Sequence, residues 1–320
     1  WRSLLFVALT FGLVWLYIKR RMKPILFGLL LCVIVLLDMW PVNKRYCNDS
    51  MFSSRRGFDQ SFAMQPYEEQ ILQDKTPHFR VFNLATNTFN DARTSYRLKS
   101  IGGYSAAKLR RYQDLIDQHL SKMHMPVINM LNTKYVIVPG QQGGTQVQLN
   151  PDAMGNAWFV DSLVVVDNAN AECDALNTLD LRTTAVLDRK FADKVPNLTP
   201  GADSTASVVL TKYTPEYIEY DATASKPGTI VFSEIYYPYG WKAYVDEQPV
   251  DHYRVNYVLR ALNVEPGQHH IRFEFRPDSV AKGNLISMIF VGLMYVIILA
   301  LIVMGIVKWR KGCKEGKAEA

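Results

Sequence analysis

The sequence predicts membrane α-helical segments that carry an extracytoplasmic α/β domain and a C-terminal antiparallel β-sandwich. Three observations predict this class. Uncharged apolar runs crowd at the two ends of the 320-residue chain. Helix-period and strand-like segments alternate between about residues 66 and 190. From about residue 206 to 277 the pattern turns to period two, with regularly spaced turns.

The apolar runs are SLLFVALTFGLVWLYI (3–18), PILFGLLLCVIVLL (24–37) and NLISMIFVGLMYVIILALIVMGIV (284–307). A membrane helix needs about 20 apolar residues. The last run meets that length and the first nearly does. The second reaches it when Asp38, Met39 and Trp40 extend it into the interface, where Trp is a common anchor. A secretory signal fits poorly, because there is no initiating Met, no basic leader beyond Arg2 and no small-residue cleavage site before the second run. Trp1 therefore reads as a cut end inside a longer protein. KRRMK (19–23) separates the first two runs and KWRKGCKEGK (308–317) follows the last. Positive charge stays on the cytoplasmic side. Both clusters lie inside only if the first helix enters from outside, the second leaves and the third returns. The expected division is two transmembrane helices in 1–40, an extracytoplasmic α/β domain in 41–200, a β-sandwich in 201–281, a transmembrane helix in 282–307 and a basic cytoplasmic tail in 308–320.

The net charge of +6 and pI of about 9.0 come from the two clusters that flank the membrane. The rest of the chain is close to neutral and carries no basic footprint, so no nucleic acid partner is expected. Membrane lipids are. Of four cysteines, Cys32 lies in an apolar run and Cys313 in the tail. Cys47 and Cys173 lie in the exported region, where a disulfide is chemically allowed, although a large domain needs no staple.

Within the exported region, residues 41–65 read as an irregular lead-in. HFRVFNLA (78–85) reads as a short buried strand. SAAKLRRYQDLIDQHL (105–120) puts Leu109, Tyr112, Ile116 and Leu120 at helical spacing, with Ser105 as the expected N-cap. VINMLNTKYVIVPG (127–140) reads as a short helix and then a strand, Tyr135 to Val138, stopped by Pro139 and Gly140. AWFVDSLVVVDN reads as one or two strands, NAECDALNTL as a short helix and TTAVLD as a strand. VPNLTPGADST (195–205) marks a boundary. Beyond it, Ile271, Phe273 and Phe275 alternate with polar residues, as do Trp241, Ala243 and Val245, which puts Trp241 in the sandwich core. EPGQ (265–268) suits a type II turn.

Catalytic signatures are absent: there is no H-E-x-x-H, paired CxxC, G-x-S-x-G or P-loop. No cofactor, metal site or catalytic residue is assigned. IGGY (101–104) reads as a tight turn. His119 and His124 are five apart and do not share the face that a helical metal pair needs. The basic residues Lys99, Lys108, Arg110 and Arg111 are candidates for holding a phosphate or phospholipid head group, against the plainer reading of a solvated helix face. Tyr236, Tyr237 and Tyr239 flank Pro238 in a loop. Exposed rings beside polar groups can stack on sugar faces, so these three are candidate glycan-binding residues, against the plainer reading of a packed strand connection.

The segments DMWPVNKRY (38–46), SIGGYSAAKLRRYQDLID (100–117), NMLNTKYVIV (129–138), GNAWFV (155–160), SEIYYPYGWKAYVD (233–246) and NYVLRALNVEPGQHHIRFEF (256–275) together resemble the YfhO family of bacterial membrane proteins, in its C-terminal portion. Asp246-Glu247 stands where that family more often has Asp-Gly. The resemblance implies a polytopic protein of the bacterial cytoplasmic membrane, similar to GT-C glycosyltransferases, with residues about 41–282 periplasmic. It also implies a lipid-phosphate-linked sugar donor and an envelope glycan or polymer as acceptor. In GT-C enzymes the catalytic acid sits on an early outer loop, which would lie upstream of Trp1, so none is carried over. The competing class is a membrane-anchored exported domain that binds a glycan or an envelope partner without chemistry.

The topology has a direct check. A cysteine placed in the 41–282 region should react with an impermeant thiol reagent in intact cells, and Lys314→Cys should react only after permeabilisation. A tail that labels from outside contradicts the three-span arrangement.

Overall fold

The computed structural model describes residues 1–140 and 144–318, and the side chains of all of these except Ser61 and residues 308–318. The charges of the expected basic tail thus lie outside the described side chains. The chain divides into two compact units, Trp1–Gln65 and Pro66–Ala320.

The first unit holds α1 (Arg2–Ile18), α2 (Pro24–Tyr46) and α3 (Arg55–Ser61). α1 and α2 form a hairpin closed by Tyr17 stacked on Phe27 with ring centroids 4.4 Å apart and by an Arg2–Asp38 ion pair of 2.9 Å. Pro24 starts α2 at its first turn, where a missing N–H does no harm. α2 runs on through Pro41 to Tyr46, past the expected end near 40. By length and hydropathy α2 can span a bilayer, whereas α1 has 17 residues. That is about 25 Å at 1.5 Å per residue, short of a hydrocarbon core of about 30 Å.

The second unit follows in the order α4 (Pro66–Leu72), β1 (Arg80–Asn83), α5 (Arg110–Gln118), α6 (Met125–Met130), β2 (Thr133–Pro139), β3 (Thr145–Leu149), β4 (Ala157–Val160), β5 (Ser162–Val166), α7 (Ala169–Ala175), β6 (Thr184–Asp188), β7 (Ser207–Thr214), β8 (Tyr217–Ala224), β9 (Gly228–Ile235), β10 (Trp241–Val245), β11 (Gln248–Val250), β12 (Tyr253–Val255), β13 (Leu259–Val264), β14 (Gly267–Phe275) and α8 (Asp278–Ala318). α8 is the second helix long and apolar enough to cross a membrane, with its apolar window fully exposed.

Three sheets organise this unit. β1-β2-β3 is small and mixed; β11-β10-β14-β8-β7 is antiparallel; and β4-β9-β13-β12-β6-β5 is antiparallel except for the parallel pair β5/β6. The six-stranded sheet is a middle layer. Ile230 and Phe232 of β9, and Leu262 and Val264 of β13, face the five-stranded sheet and meet Tyr220, Ile271 and Phe273. Val231 and Ala261 point the opposite way, into a core shared with Leu115 and Ile116 of α5, Val127 and Ile128 of α6, and Cys173 of α7. Alternation along a strand puts successive side chains on opposite faces, and both faces of this sheet are apolar because both are covered. Phe232 stands edge-on to Tyr220 at 4.8 Å and to Phe273 at 5.0 Å.

This arrangement corrects the division at residue 200. The sandwich exists, but its second sheet takes β4, β5 and β6 from before VPNLTPGADST and β9, β12 and β13 from after it. The linker is a crossing between layers, not a boundary between domains. Three smaller expectations also change. α5 begins at Arg110 with Leu109 at its N-cap, so Ser105 caps nothing. Trp241 is half-buried, packed against the sandwich core but not fully within it, with the Arg260 guanidinium 3.9 Å from its ring centroid, while Ala243 beside it is core. IGGY is a bend at Ile101 and not a tight turn; its glycines serve a close approach instead, since a Cβ on Gly102 would lie 2.1 Å from the Thr88 carbonyl oxygen, which accepts the Gly103 N–H at 2.7 Å.

Residues 66–277 should therefore unfold in one transition. The isolated segment 201–281 leaves one face of β9 and β13 uncovered and should show no cooperative melt by circular dichroism. A sharp, independent transition of 201–281 would restore the two-domain division.

Candidate functional site

On the helical side of the middle sheet, α5, the segment after β6 and the loop after β9 enclose a cleft of about 470 Å³. Its lining joins two groups of residues that sequence alone had singled out separately. Tyr236, Tyr237 and Tyr239 come from the β9–β10 loop, and Arg110 and Arg111 come from the first turn of α5. Phe191, Ile235, Tyr257 and Val258 complete apolar walls. Lys108 is not part of it; its ammonium donates to Gln113 Oε1 at 3.2 Å. Lys99 has left the basic group altogether, drawn away by the pairing of its segment with β1.

The three tyrosines differ. Tyr236 is half-buried, with its N–H donating to the Val258 carbonyl at 2.7 Å and its ring against Phe191 and His252 at 5.8 and 5.5 Å. Tyr237 is half-buried and meets Tyr239 edge-on at 5.5 Å. Tyr239 is 70% exposed. Gly240 lets the loop turn here. Its φ is +114°, and a Cβ would sit 2.9 Å from both the Phe275 ring and Pro277. The Gly240 carbonyl accepts the Arg276 N–H at 2.7 Å, so the loop lies against the start of α8. A second recess joins Pro238–Lys242 to Arg276–Ser279. Tyr239 lines both recesses.

The cations are graded by depth. Arg110 is outermost and pairs with Asp114 at 3.0 Å, with its side chain 86% exposed. Arg111 reaches Glu172 at 3.3 Å and lies 4.6 Å from the Tyr257 ring centroid. Lys190 sits over Phe191 and pairs with Asp188. Arg254 is deepest, buried on β12, with Nη2 held by Glu172 Oε2 at 2.8 Å and Asp188 Oδ2 at 3.0 Å. Its Nε finds no partner among the described residues. Burial alone would raise the Asp188 carboxyl, but the Lys190 N–H and the Lys190 and Arg254 charges outweigh it and hold it below its usual value. Burial, then the hydrogen bond to Asp114, pushes the Tyr257 hydroxyl up to about 12.

Glu172 is the fully buried anchor of this set. Asn168 caps α7 by accepting the Ala171 N–H, which places Glu172 in the first turn. Its Oε1 accepts the Tyr257 N–H at 3.1 Å. Asn256 and Tyr257 both adopt positive φ, 48° and 69°. Such a conformation is unusual for a bulky residue and marks sites held by their surroundings. The sequence reading missed Glu172, Arg254 and Tyr257. The one local signal was Arg254 inside the apolar run YRVNYVLR, where an arginine must find buried partners.

Behind the cleft, His119 and His124 do meet, with Nδ1 atoms 3.1 Å apart, because a left-handed residue at Met123 returns the chain. The other ring nitrogen of His119 faces Cys173 Sγ at 3.3 Å, so the three do not share a centre. Cys173 is a free thiol, pushed up to about 11 by burial, and Cys47 is free as well.

Asp246 and Glu247 form the two-residue turn between β10 and β11, with φ of 51° and 64°. Gly is favoured at such positions; here Glu247 instead pairs with Arg272 at 2.6 Å.

No curated protein and no solved structure matches the chain. Residues 202–287, from just before β7 into the first turns of α8, match the family described as bacterial membrane protein YfhO, a match consistent with the C-terminal portion of such a protein.

Proposed function

We propose that the chain is the C-terminal part of a YfhO-like membrane glycosyltransferase that acts on cell-envelope glycans or polymers from a lipid-phosphate-linked sugar. This portion recognises donor or acceptor rather than performing the chemistry. The observation that carries the reading is the convergence of Tyr236, Tyr237 and Tyr239 with Arg110, Arg111 and Arg254 on one cleft whose outer loop touches the start of α8. A lipid-linked sugar phosphate has three parts. Aromatic faces suit the sugar, guanidinium groups suit the phosphate, and a mouth beside a membrane-crossing helix suits the lipid. With residues 41–282 outside the membrane, as the positive-inside rule favours, the cleft faces the compartment where such sugars would be used.

The carboxylates around the cleft support recognition over chemistry. Asp114, Glu172 and Asp188 are each engaged by arginine or lysine, so none stands ready as a general base. The same observation favours the second reading, a membrane-anchored module that binds glycan or an envelope partner with no transferase attached.

The test is binding of a polyprenyl-phosphate monosaccharide to the membrane-embedded protein in nanodiscs. Arg110→Ala/Tyr239→Ala changes two exposed side chains and should shift stability by no more than about 0.5 kcal/mol per site while weakening binding severalfold. Tyr236→Ala should lower stability instead, because its ring is packed. Unchanged binding in the double variant removes the cleft from recognition. Binding of a glycan polymer with no affinity for the lipid-linked sugar selects the second reading.

A further inference from the structure

Lys99, the basic residue that leaves the cleft, takes part in a second constellation that shares no residue with the cleft lining. Its ammonium meets His78 Nδ1. The other ring nitrogen, Nε2, lies 2.7 Å from Glu234 Oε1, and Arg80 Nη2 donates to the same oxygen at 2.8 Å. The Tyr213 ring stacks on His78 at 3.5 Å and lies 4.0 Å beneath Lys99 Nζ. The groups come from separate elements. His78 and Arg80 lead into and begin β1, Glu234 is on β9, Tyr213 on β7, and the Lys99 carbonyl accepts the Val81 N–H at 2.8 Å. Arg260 on β13 adds a further buried cation facing Glu234.

We propose that Lys99 is a reactive amine, set by His78 and Glu234 to condense with an aldehyde that carries an anionic group. A carboxylate at Nε2 fixes the tautomer with hydrogen on that nitrogen and leaves Nδ1 as an acceptor aimed at Lys99. Glu234 stays ionised. Burial works against it, but Arg80 and His78 hold its carboxyl down at about 2. Burial keeps His78 neutral-leaning, with its pKa lowered. Burial and then, against the pull of Glu234, the Arg80 charge lower the pKa of Lys99. Lysines activated as nucleophiles are desolvated or set beside other cations in this way. His78 itself is held at φ +52°, the kind of enforced backbone that gathers at functional positions. The Lys99 ammonium packs on His78 and Tyr213 while the residue keeps a solvent-facing side, so a reagent can reach it. Arg80, Arg260 and Lys99 outnumber the single carboxylate Glu234, which favours an aldehyde bearing phosphate or carboxylate.

The chemistry balances without a further reactant. His78 Nδ1 takes one proton from the Lys99 ammonium. The freed Nζ lone pair forms a C–N bond to the carbonyl carbon while the carbonyl π pair moves to oxygen, and an Nζ proton passes to that oxygen to give a carbinolamine. His78 then returns its proton to the carbinolamine hydroxyl, which leaves as water as the iminium forms. Ammonium and aldehyde become iminium and water.

Pyridoxal 5′-phosphate is the probe. The full chain in nanodiscs is treated at neutral pH with limiting reagent, reduced with borohydride and mapped by mass spectrometry. Lys75, Lys122 and Lys212 are exposed comparators. Lys99 should label severalfold faster than these, and the pH at which its rate rises should lie below theirs. His78→Asn and Glu234→Gln should each bring the rate toward the comparators, whereas Lys99→Arg should remove the label. Equal labelling of Lys99 and the comparators in the wild-type chain overturns the proposal whether or not the variants fold. So does fast labelling that survives the loss of His78 in a folded variant.

Discussion

The cleft depends on one buried carboxylate. Glu172 has no solvent exposure and accepts from Arg254, Arg111 and the Tyr257 N–H. Removing such a charge from water is expensive, by several kcal/mol, so it persists only where partners are built around it. Those partners come from α5, from β12 and from the turn after β12. Glu172 therefore fixes α5 against the middle sheet and sets the depth of Arg111 and Arg254. The Asn256 side chain reinforces the same turn by accepting the Val186 N–H at 2.8 Å, so the left-handed pair Asn256–Tyr257 is held from both sides.

The middle sheet supplies the rigidity that this ion set needs. β9 and β13 are apolar on both faces because one face meets the five-stranded sheet and the other meets α5, α6 and α7. The Tyr loop leaves directly from β9, and Arg254 stands on β12 in the same sheet. Aromatic and cationic walls are thus registered by one set of backbone hydrogen bonds. The family match on residues 202–287 covers β9 and β12 but not α5 or α7, so the helical wall of the cleft lies outside the matched region.

Much of the local structure was legible. The alternation in HIRFEF is β14, with Ile271 and Phe273 buried as period two requires, and the helical spacing of Tyr112 and Ile116 is α5. The layer order was not legible. A strand buried on both faces shows an unbroken apolar run, and a run of that kind does not say which segments cover it. Nor does a linker rich in Pro and Gly reveal whether the chain leaves a domain there or crosses within one. The candidate site was half legible for a similar reason. Tyrosines in a loop and arginines in a helix stand out one by one. That Arg111 and Tyr236 share a cleft, while Lys99 turns to His78, is decided by long-range pairing. Glu172 gave no signal, because a single acid in a short helix reads as solvated.

The most direct test of this account is the unfolding free energy of Glu172→Gln in the full chain, measured by denaturant titration. The substitution keeps the shape and removes the charge. Breaking a buried ion set from one side should lower stability by about 3–5 kcal/mol and loosen α5, seen as faster amide exchange at Leu115 and Ile116. A loss no greater than about 0.5 kcal/mol, the size of an ordinary surface change, would contradict the claim that this carboxylate holds the cleft together.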